Sequence, residues 1–104
     1  MTEDETVDEL VCAARDVIDP ETGLNVIDMG LIFHLGYSAE RRRAHVVMTF
    51  TTPGCPSGGV MVEGLERRLA KLDGVDTVDV EVSFERPWTP DRITPEGREL
   101  LGWR

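Results

Sequence analysis

The spacing of apolar residues first predicts an amphipathic helix near the N-terminus. Its apolar residues recur every three or four positions and so share one helical face: Val7, Leu10, Val11, Ala14, Val17 and Ile18. Asp19-Pro20 is expected to end this helix, because a residue that precedes proline avoids the α-helical conformation.

An antiparallel hairpin is predicted next, from two segments whose apolar residues alternate with other residues. Residues 31–37 form the first predicted strand and residues 44–51 the second. The polar residues 38–42 between them suit a short turn, so the two strands should pair antiparallel. The arginines at positions 41–43 are interpreted as a solvated part of that turn.

The remaining predicted elements are a helix, a strand and a short helix. The apolar period becomes helical from residue 56, and residues 77–84 alternate again as a third strand. Because strand–helix–strand units cross over right-handed, the third strand should lie parallel to the second. Thr94 and Pro95 are expected to begin the last helix, with Leu100 and Leu101 facing the core.

Together these elements predict one α/β domain over residues 1–104, in the order α-β-β-α-β-α. It is a two-layer α+β arrangement in which the helices pack on a small mixed three-stranded sheet. The chain length and a hydrophobic content of 40% suit one modest core.

The charge balance narrows the range of partners. Twenty acidic residues against eleven basic ones give a formal charge of −9, which repels nucleic acid. No segment approaches the roughly 18 consecutive apolar residues of a membrane span, and the acidic N-terminus does not have the apolar segment of a signal peptide. We therefore expect a cytoplasmic protein that binds neither nucleic acid nor a membrane.

The two cysteines have different surroundings. Cys12 lies beside the apolar stripe of the first helix, where a half-buried packing role is expected. Cys55 lies in the segment TTPGCP, residues 51–56, between a strand and a helix. The N–H groups at a helix start favour a thiolate over a thiol. A metal or cluster ligand, a nucleophile and a small buried side chain are the three roles that remain open for Cys55.

Two cysteines cannot complete a four-cysteine metal site within one chain. A cluster bound through Cys55 would therefore need a non-cysteine ligand, a second subunit or a partner protein.

Four polar side chains near these elements are further candidates. Asp19 and Glu21 flank a proline, and their carboxylates could converge as metal ligands, hydrogen-bond acceptors or general bases. The alternative is that Asp19 ends the first helix and Glu21 is solvated. Thr51 and Thr52 supply hydroxyls that would either cap the second helix or line a pocket.

Three ring-bearing residues leave two alternatives each. Trp88, held between Pro87 and Pro90, is interpreted either as a functional side chain, which covers the Cys55 region or anchors a partner, or as a lid over the core. His34 and His45 lie on adjacent predicted strands and could approach each other as ligands, although a half-exposed histidine on a sheet face is ordinary.

Four segments of the chain resemble the metal–sulfur cluster assembly family. That family includes the SufT-type factors, the PaaD-type phenylacetate-pathway proteins and the eukaryotic cytosolic iron–sulfur targeting subunit. The resemblance extends from about Leu10 onward and is carried by DPE at 19–21, NVIDMGLI at 25–32, TFTTPGCP at 49–56 and PWTPDRIT at 87–94.

The resemblance implies a non-enzymatic role in building iron–sulfur clusters or delivering them to client apoproteins. It implies a pocket formed by Asp19, Glu21, Thr51, Thr52 and Cys55, in which Cys55 contacts the metal. The implied cargo is iron or an iron–sulfur cluster, bound transiently, and the implied partners are iron–sulfur assembly proteins and client apoproteins. A homodimer that brings two Cys55 thiols together would help to hold a cluster.

Two other functions remain open on the sequence. In the first, the chain is a thiol-dependent enzyme with Cys55 as nucleophile and Asp19 or Glu21 as proton acceptor. In the second, it is an adaptor that recruits clients through Trp88 and its acidic surface, and Cys55 is structural.

Overall fold

The computed structural model describes residues 3–54 and 56–102, so Cys55 lies outside the described part of the chain. The elements follow the predicted order α-β-β-α-β-α. They are α1 (Glu3–Ala14), β1 (Ile32–Ser38), β2 (Arg43–Met48), α2 (Gly58–Ala70), β3 (Thr77–Val82) and α3 (Pro95–Leu100), with a 3₁₀ turn at Pro90–Arg92 before α3.

The three strands form one mixed sheet in the order β1-β2-β3. β1 pairs antiparallel with β2, and β2 pairs parallel with β3, so that Val46 is in register with Leu35 on one side and Val80 on the other. Both predicted pairings are confirmed. The turn between β1 and β2 is polar as expected, and two arginines beside it make exposed ion pairs, Arg42 with Asp76 and Arg43 with Asp79.

The core lies between one face of this sheet and the two long helices, which confirms the predicted two layers. Every second residue of β2 is fully buried, while the residues between them are half-buried on the opposite face. The helices cover the buried face and contact each other. The completely buried apolar residues of this core are Leu10, Ala14, Val26, Leu31, Ala44, Val46, Met48, Leu65 and Leu69.

The first helix is shorter than its apolar pattern predicts. It ends at Ala14, because Val17 leaves the helical path and accepts a hydrogen bond from the Val26 amide, 3.0 Å away. Ile18 then forms an isolated antiparallel bridge with Asn25. Val17 and Ile18 are β-branched, and such residues suit extended pairing better than a helix. The prediction that Asp19-Pro20 ends this helix is therefore wrong.

Several other boundaries also differ from the predictions. β2 ends at Met48 and β3 at Val82, and α2 begins at Gly58. In α3, Thr94 caps the helix as predicted, accepting a hydrogen bond from the Gly97 amide at 3.0 Å. Leu100 is 73% exposed, so its predicted place in the core is wrong. α3 is only six residues long, and of the two leucines at its end only Leu101 packs against the core.

Candidate functional site

The loop that carries Cys55 connects the end of β2 to the start of α2. Thr51 is half-buried and Thr52 is exposed in the bend that follows β2. The N-cap of α2 is Ser57, so the prediction that Thr51 or Thr52 caps this helix is wrong; both lie too early in the chain. The alternative, that their hydroxyls line a pocket with Cys55, stays a prediction because Cys55 lies outside the described residues.

The first turn of α2 packs closely against the chain that enters the loop. Gly58 is buried, and a Cβ built on it would overlap the Phe50 ring. Gly59, the next residue, faces open space. Phe50 in turn meets Phe84 edge-on, with ring centroids 5.9 Å apart. The close approach at Gly58 is therefore made by Phe50, which packs the base of the loop onto the sheet.

The N-terminal end of α2 keeps its partial positive charge. The first four residues, GGVM, contain no acidic side chain. Within the described part of the chain, the Ser57 hydroxyl makes no capping hydrogen bond. Unpaired N–H groups and the helix dipole at such an end favour a nearby anion.

Asp19 and Glu21 form a closed turn between α1 and β1. Asp19 is 1% exposed, and its Oδ1 accepts a hydrogen bond from the Glu21 amide at 2.9 Å. The backbone closes the turn as well, since the Asp19 amide donates to Leu24 and the Gly23 amide donates to Asp19, both at 2.8 Å. The buried carboxylate therefore holds the turn, while the Glu21 side chain is exposed.

Contacts between α2 and the segment that follows α1 show where this turn is directed. Asp16 pairs with Arg68 at 2.9 Å, and Val17 lies 3.3 Å from a Cβ built on Gly64. From Asp16 to Val17, the contacted position on α2 therefore shifts from residue 68 to residue 64, about one helical turn closer to the start of α2. The chain runs toward the N-terminal end of α2 as it approaches Asp19. This direction favours the predicted convergence of the Asp19–Glu21 turn with the Cys55 loop, which itself stays a prediction.

Cys12 is exposed on α1, which contradicts its predicted half-buried packing role. The next residue, Ala13, faces the core instead. Cys12 lines a groove between the two long helices with Arg68 and Leu72. Any experiment on thiol chemistry must therefore control for the accessible thiol of Cys12.

Trp88 has an internal partner. Its indole Nε1 donates to the Met29 carbonyl at 2.7 Å, and its ring is half-buried against the core. Of the two alternatives left open by the sequence, the structure supplies direct contacts for the lid over the core. A contact between Trp88 and another protein stays a prediction.

Arg92, like Trp88, attaches the segment after β3 to the loop before β1. Its Nε donates to the Gly30 carbonyl at 2.8 Å, and its guanidinium lies 4.1 Å from the centroid of the Phe33 ring. Gly30 has a φ of 72°, and its missing side chain leaves room for the Arg92 backbone. Two of the four segments that carry the family resemblance, 25–32 and 87–94, thus bind each other.

Asp28 lies at the centre of this attachment. Its Oδ1 accepts from Arg15 Nη1 at 3.0 Å and from Thr94 Oγ1 at 2.8 Å, and its Oδ2 accepts from Asn25 Nδ2 at 2.7 Å. The Asp28 carbonyl also accepts from the Thr94 amide at 2.9 Å. Burial alone raises the pKa of Asp28, but hydrogen bonds from Asn25, Thr94 and Arg15 outweigh it, so the pKa lies below its ordinary value of 3.8.

The sequence reasoning gave Asp28 no role. The one local indication was that Asp28 lies three residues after Asn25, because an Asn side chain commonly accepts a hydrogen bond from a backbone amide a few residues later in the chain. Here Asn25 Oδ1 accepts from the Asp28 amide at 2.9 Å. The partners Arg15 and Thr94 come from distant parts of the chain, and nothing in the local pattern indicates them.

Replacing Asp28 by alanine is expected to lower the free energy of unfolding by about 2–4 kcal/mol, because the donors of Arg15, Asn25 and Thr94 lose their shared buried acceptor. With a lowered folded pKa, the carboxylate stabilises the fold above the unfolded value of 3.8, and this contribution is lost as the pH falls through the folded pKa. Urea denaturation of wild type and Asp28→Asn from neutral pH to below 3.8 measures this, and the two stabilities should converge. A constant difference over that range would contradict the charge-dependent role.

His34 and His45 approach each other as expected, with ring centroids 5.8 Å apart. Among residues 3–54 and 56–102, no group of three or more His, Cys, Asp or Glu side chains is arranged to hold a metal ion. In the same part of the chain, no helix has the length and apolar character needed to cross a membrane.

Comparison with known proteins extends the resemblance beyond the four motifs. The family described as iron-sulfur cluster assembly protein matches residues 8–82. An Fe-S protein maturation auxiliary factor from Porphyromonas gingivalis is 32% identical over 95% of this chain and 93% of its own. The Fe-S protein maturation auxiliary factor SufT from Staphylococcus aureus is 30% identical over 83% of this chain and 97% of its own.

The fold agrees with these sequence matches. The crystal structure of a domain of unknown function, DUF59, from Bacillus anthracis superposes with a TM-score of 0.90 and is 28% identical, covering 98% of this chain and 96% of that domain. The chain therefore belongs to the iron-sulfur cluster assembly protein family.

Proposed function

We propose that this chain is an auxiliary factor in the maturation of iron–sulfur proteins, which takes up iron or a cluster and passes it to client apoproteins. The observation that carries the proposal is similarity to maturation auxiliary factors over nearly the whole length of both chains. The proposed role is accessory rather than catalytic, and the naming of those relatives as auxiliary factors supports it. The partners are iron–sulfur assembly proteins and the clients themselves.

Cys55 is the residue proposed to contact the cargo. It lies three positions before the first residue of α2. The uncompensated positive end of that helix favours its thiolate, which is the form that binds iron. The Asp19–Glu21 turn, directed toward the same end of α2, would supply carboxylate oxygen at the edge of the site, and Thr51 and Thr52 hydroxyls would line it.

One thiolate cannot complete the coordination of a cluster, which normally has four protein ligands. Among the described residues, no three His, Cys, Asp or Glu side chains are grouped so that they could supply the other ligands. The remaining ligands are therefore proposed to come from a partner protein or a second copy of the chain. An incomplete ligand set suits a factor that releases its cargo.

Anaerobic reconstitution with ferrous iron and sulfide tests this proposal. Wild type, Cys55→Ser and Cys12→Ser are compared by visible absorption, iron-to-protein ratio and elution volume. We expect wild type and Cys12→Ser to gain a chromophore and to elute as the same species, and Cys55→Ser to gain neither iron nor colour.

The exposed Cys12 makes the second variant essential, because a surface thiol also binds iron without any function. A chromophore that persists in Cys55→Ser and disappears in Cys12→Ser would contradict the proposed role of Cys55. A chromophore in none of the three would contradict cargo binding by the chain alone and would shift the weight to recruitment of clients.

A further inference from the structure

The face of the sheet opposite the helices brings together the only two histidines of the chain. His34 on β1 is in register with Val47 on β2, and Gly36 on β1 is in register with His45 on β2. Side chains two residues apart share one face of a strand. The histidines are therefore diagonal neighbours on this face, which α1 and α2 do not cover.

The separation of the two rings suits a shared ligand. Their centroids are 5.8 Å apart and their planes are inclined by 60°. An imidazole nitrogen binds zinc at about 2.1 Å and lies about 1.2 Å from the ring centre, so two imidazoles on one tetrahedral ion have centroids about 5–6 Å apart. The observed distance is within that range before any ion binds.

Gly36 makes this arrangement possible. A Cβ built on Gly36 would lie 2.9 Å from His34 Nε2, which is closer than side chains pack. The imidazole of His34 thus lies over the glycine, directly beside the strand position that His45 occupies. A glycine inside a strand weakens the strand, and its usual reason is the close approach of another group. Here that group is the ring of His34.

The charged side chains that line the groove beside His34 are two carboxylates and one guanidinium, so their net charge is negative. Glu81, Glu85 and Arg86 line this groove of about 370 Å³, and His45 is not part of the lining. Asp79, in register with His45, is held in an ion pair with Arg43 at 3.3 Å and so is not a candidate ligand. The groove leaves space for water or a small ligand to complete the coordination of an ion.

We propose that His34 and His45 form a binding site for a divalent first-row transition-metal ion such as Zn²⁺ or Fe²⁺. Imidazole is a preferred ligand of both ions. The chain supplies two ligands, in keeping with the absence of a three-ligand group among the described residues, so the ion keeps exchangeable positions. This site is separate from the thiol chemistry of Cys55 and does not rest on it.

Zinc binding by a tag-free full-length chain with Cys12→Ser and Cys55→Ser tests the proposal, because this background leaves no thiol to compete. Zn²⁺ alone is titrated against a chromophoric chelator, and the imidazole proton signals are followed by NMR. We expect one equivalent of Zn²⁺ to shift both histidine signals together. His34→Gln and His45→Gln should each weaken binding by about tenfold or more, as should Gly36→Ala, which keeps both ligands but displaces one ring.

Glu40→Gln, in the exposed turn between β1 and β2, is the matched control and should bind like the parent. Circular dichroism of each variant establishes that it is folded. Failure of the cysteine-free chain to bind Zn²⁺ would overturn the proposal. Binding that withstands the loss of either histidine would overturn it too, because a single imidazole would then be sufficient. Neither result would bear on Cys55, since both are obtained without it.

Discussion

A strain that lacks this protein is expected to regain no client activity from Cys55→Ser, although wild type restores it fully. Serine keeps the size of the side chain but its hydroxyl stays protonated near neutral pH, so the thiolate ligand is lost. Because Cys55 is the proposed contact with the cargo, delivery should fall to the level of the deletion strain. The activity of an iron–sulfur enzyme in extracts, at equal abundance of the enzyme protein, measures this.

Cys12→Ser is the matched control, since it removes the exposed thiol on α1 and leaves the loop before α2 unchanged. It should restore client activity as wild type does. Immunodetection of each variant ensures that equal amounts of protein are compared. Full restoration by Cys55→Ser would contradict the role given to this cysteine and leave recruitment of clients as the better account.

A test of client recruitment through Trp88 has to separate the loss of a contact from the loss of structure. Trp88→Ala removes a ring that packs on the core and donates to the Met29 carbonyl. Loss of client binding in that variant would therefore be compatible with structural damage as well as with a lost contact. Trp88→Phe retains most of the packing, and a binding defect there at unchanged stability would favour direct contact with a client.

Periodicity was sufficient to predict the elements and their pairing because both depend on local pattern. The alternation of β2 predicts its buried face, and the short turn before it allows only an antiparallel neighbour. Helix length was less predictable. Val17 and Ile18 continue the helical stripe of α1, but the chain there is extended. The Val26 amide donates to Val17 and the Asp19 amide donates to Leu24, on either side of the Ile18–Asn25 bridge. Tertiary pairing of this kind overrides a local preference.

The candidate site, too, depends on distant contacts that the local sequence pattern does not predict. The sequence indicated Cys55, Asp19 and Glu21 by residue type and position in loops. The contacts that fix the surrounding backbone join residues far apart, such as Asp28 with Thr94 and Met29 with Trp88, 66 and 59 positions apart. A single sequence contains no sign of which distant partner each takes. The resemblance marks segments 25–32 and 87–94, and in the structure these two segments bind each other.

Gly30→Ala is expected to have the largest effect on stability. The residue has a φ of 72°, where a Cβ costs about 1–2 kcal/mol in the left-handed region. The added methyl group would also overlap the Arg92 backbone and lie 2.6 Å from its Cβ. Overpacking of this kind costs about 1–3 kcal/mol more. The free energy of unfolding, measured in urea, should fall by the sum of both costs.

Gly23→Ala separates these two costs. Gly23 has nearly the same φ, 77°, but a Cβ built on it meets nothing within 4 Å. Its substitution should cost only the backbone strain, about 1–2 kcal/mol. The difference between the two variants then measures how tightly segment 87–94 is held against segment 25–32. Equal losses would mean that the C-terminal segment moves aside freely, and that Arg92 and Trp88 anchor it less firmly than their hydrogen bonds to Gly30 and Met29 indicate.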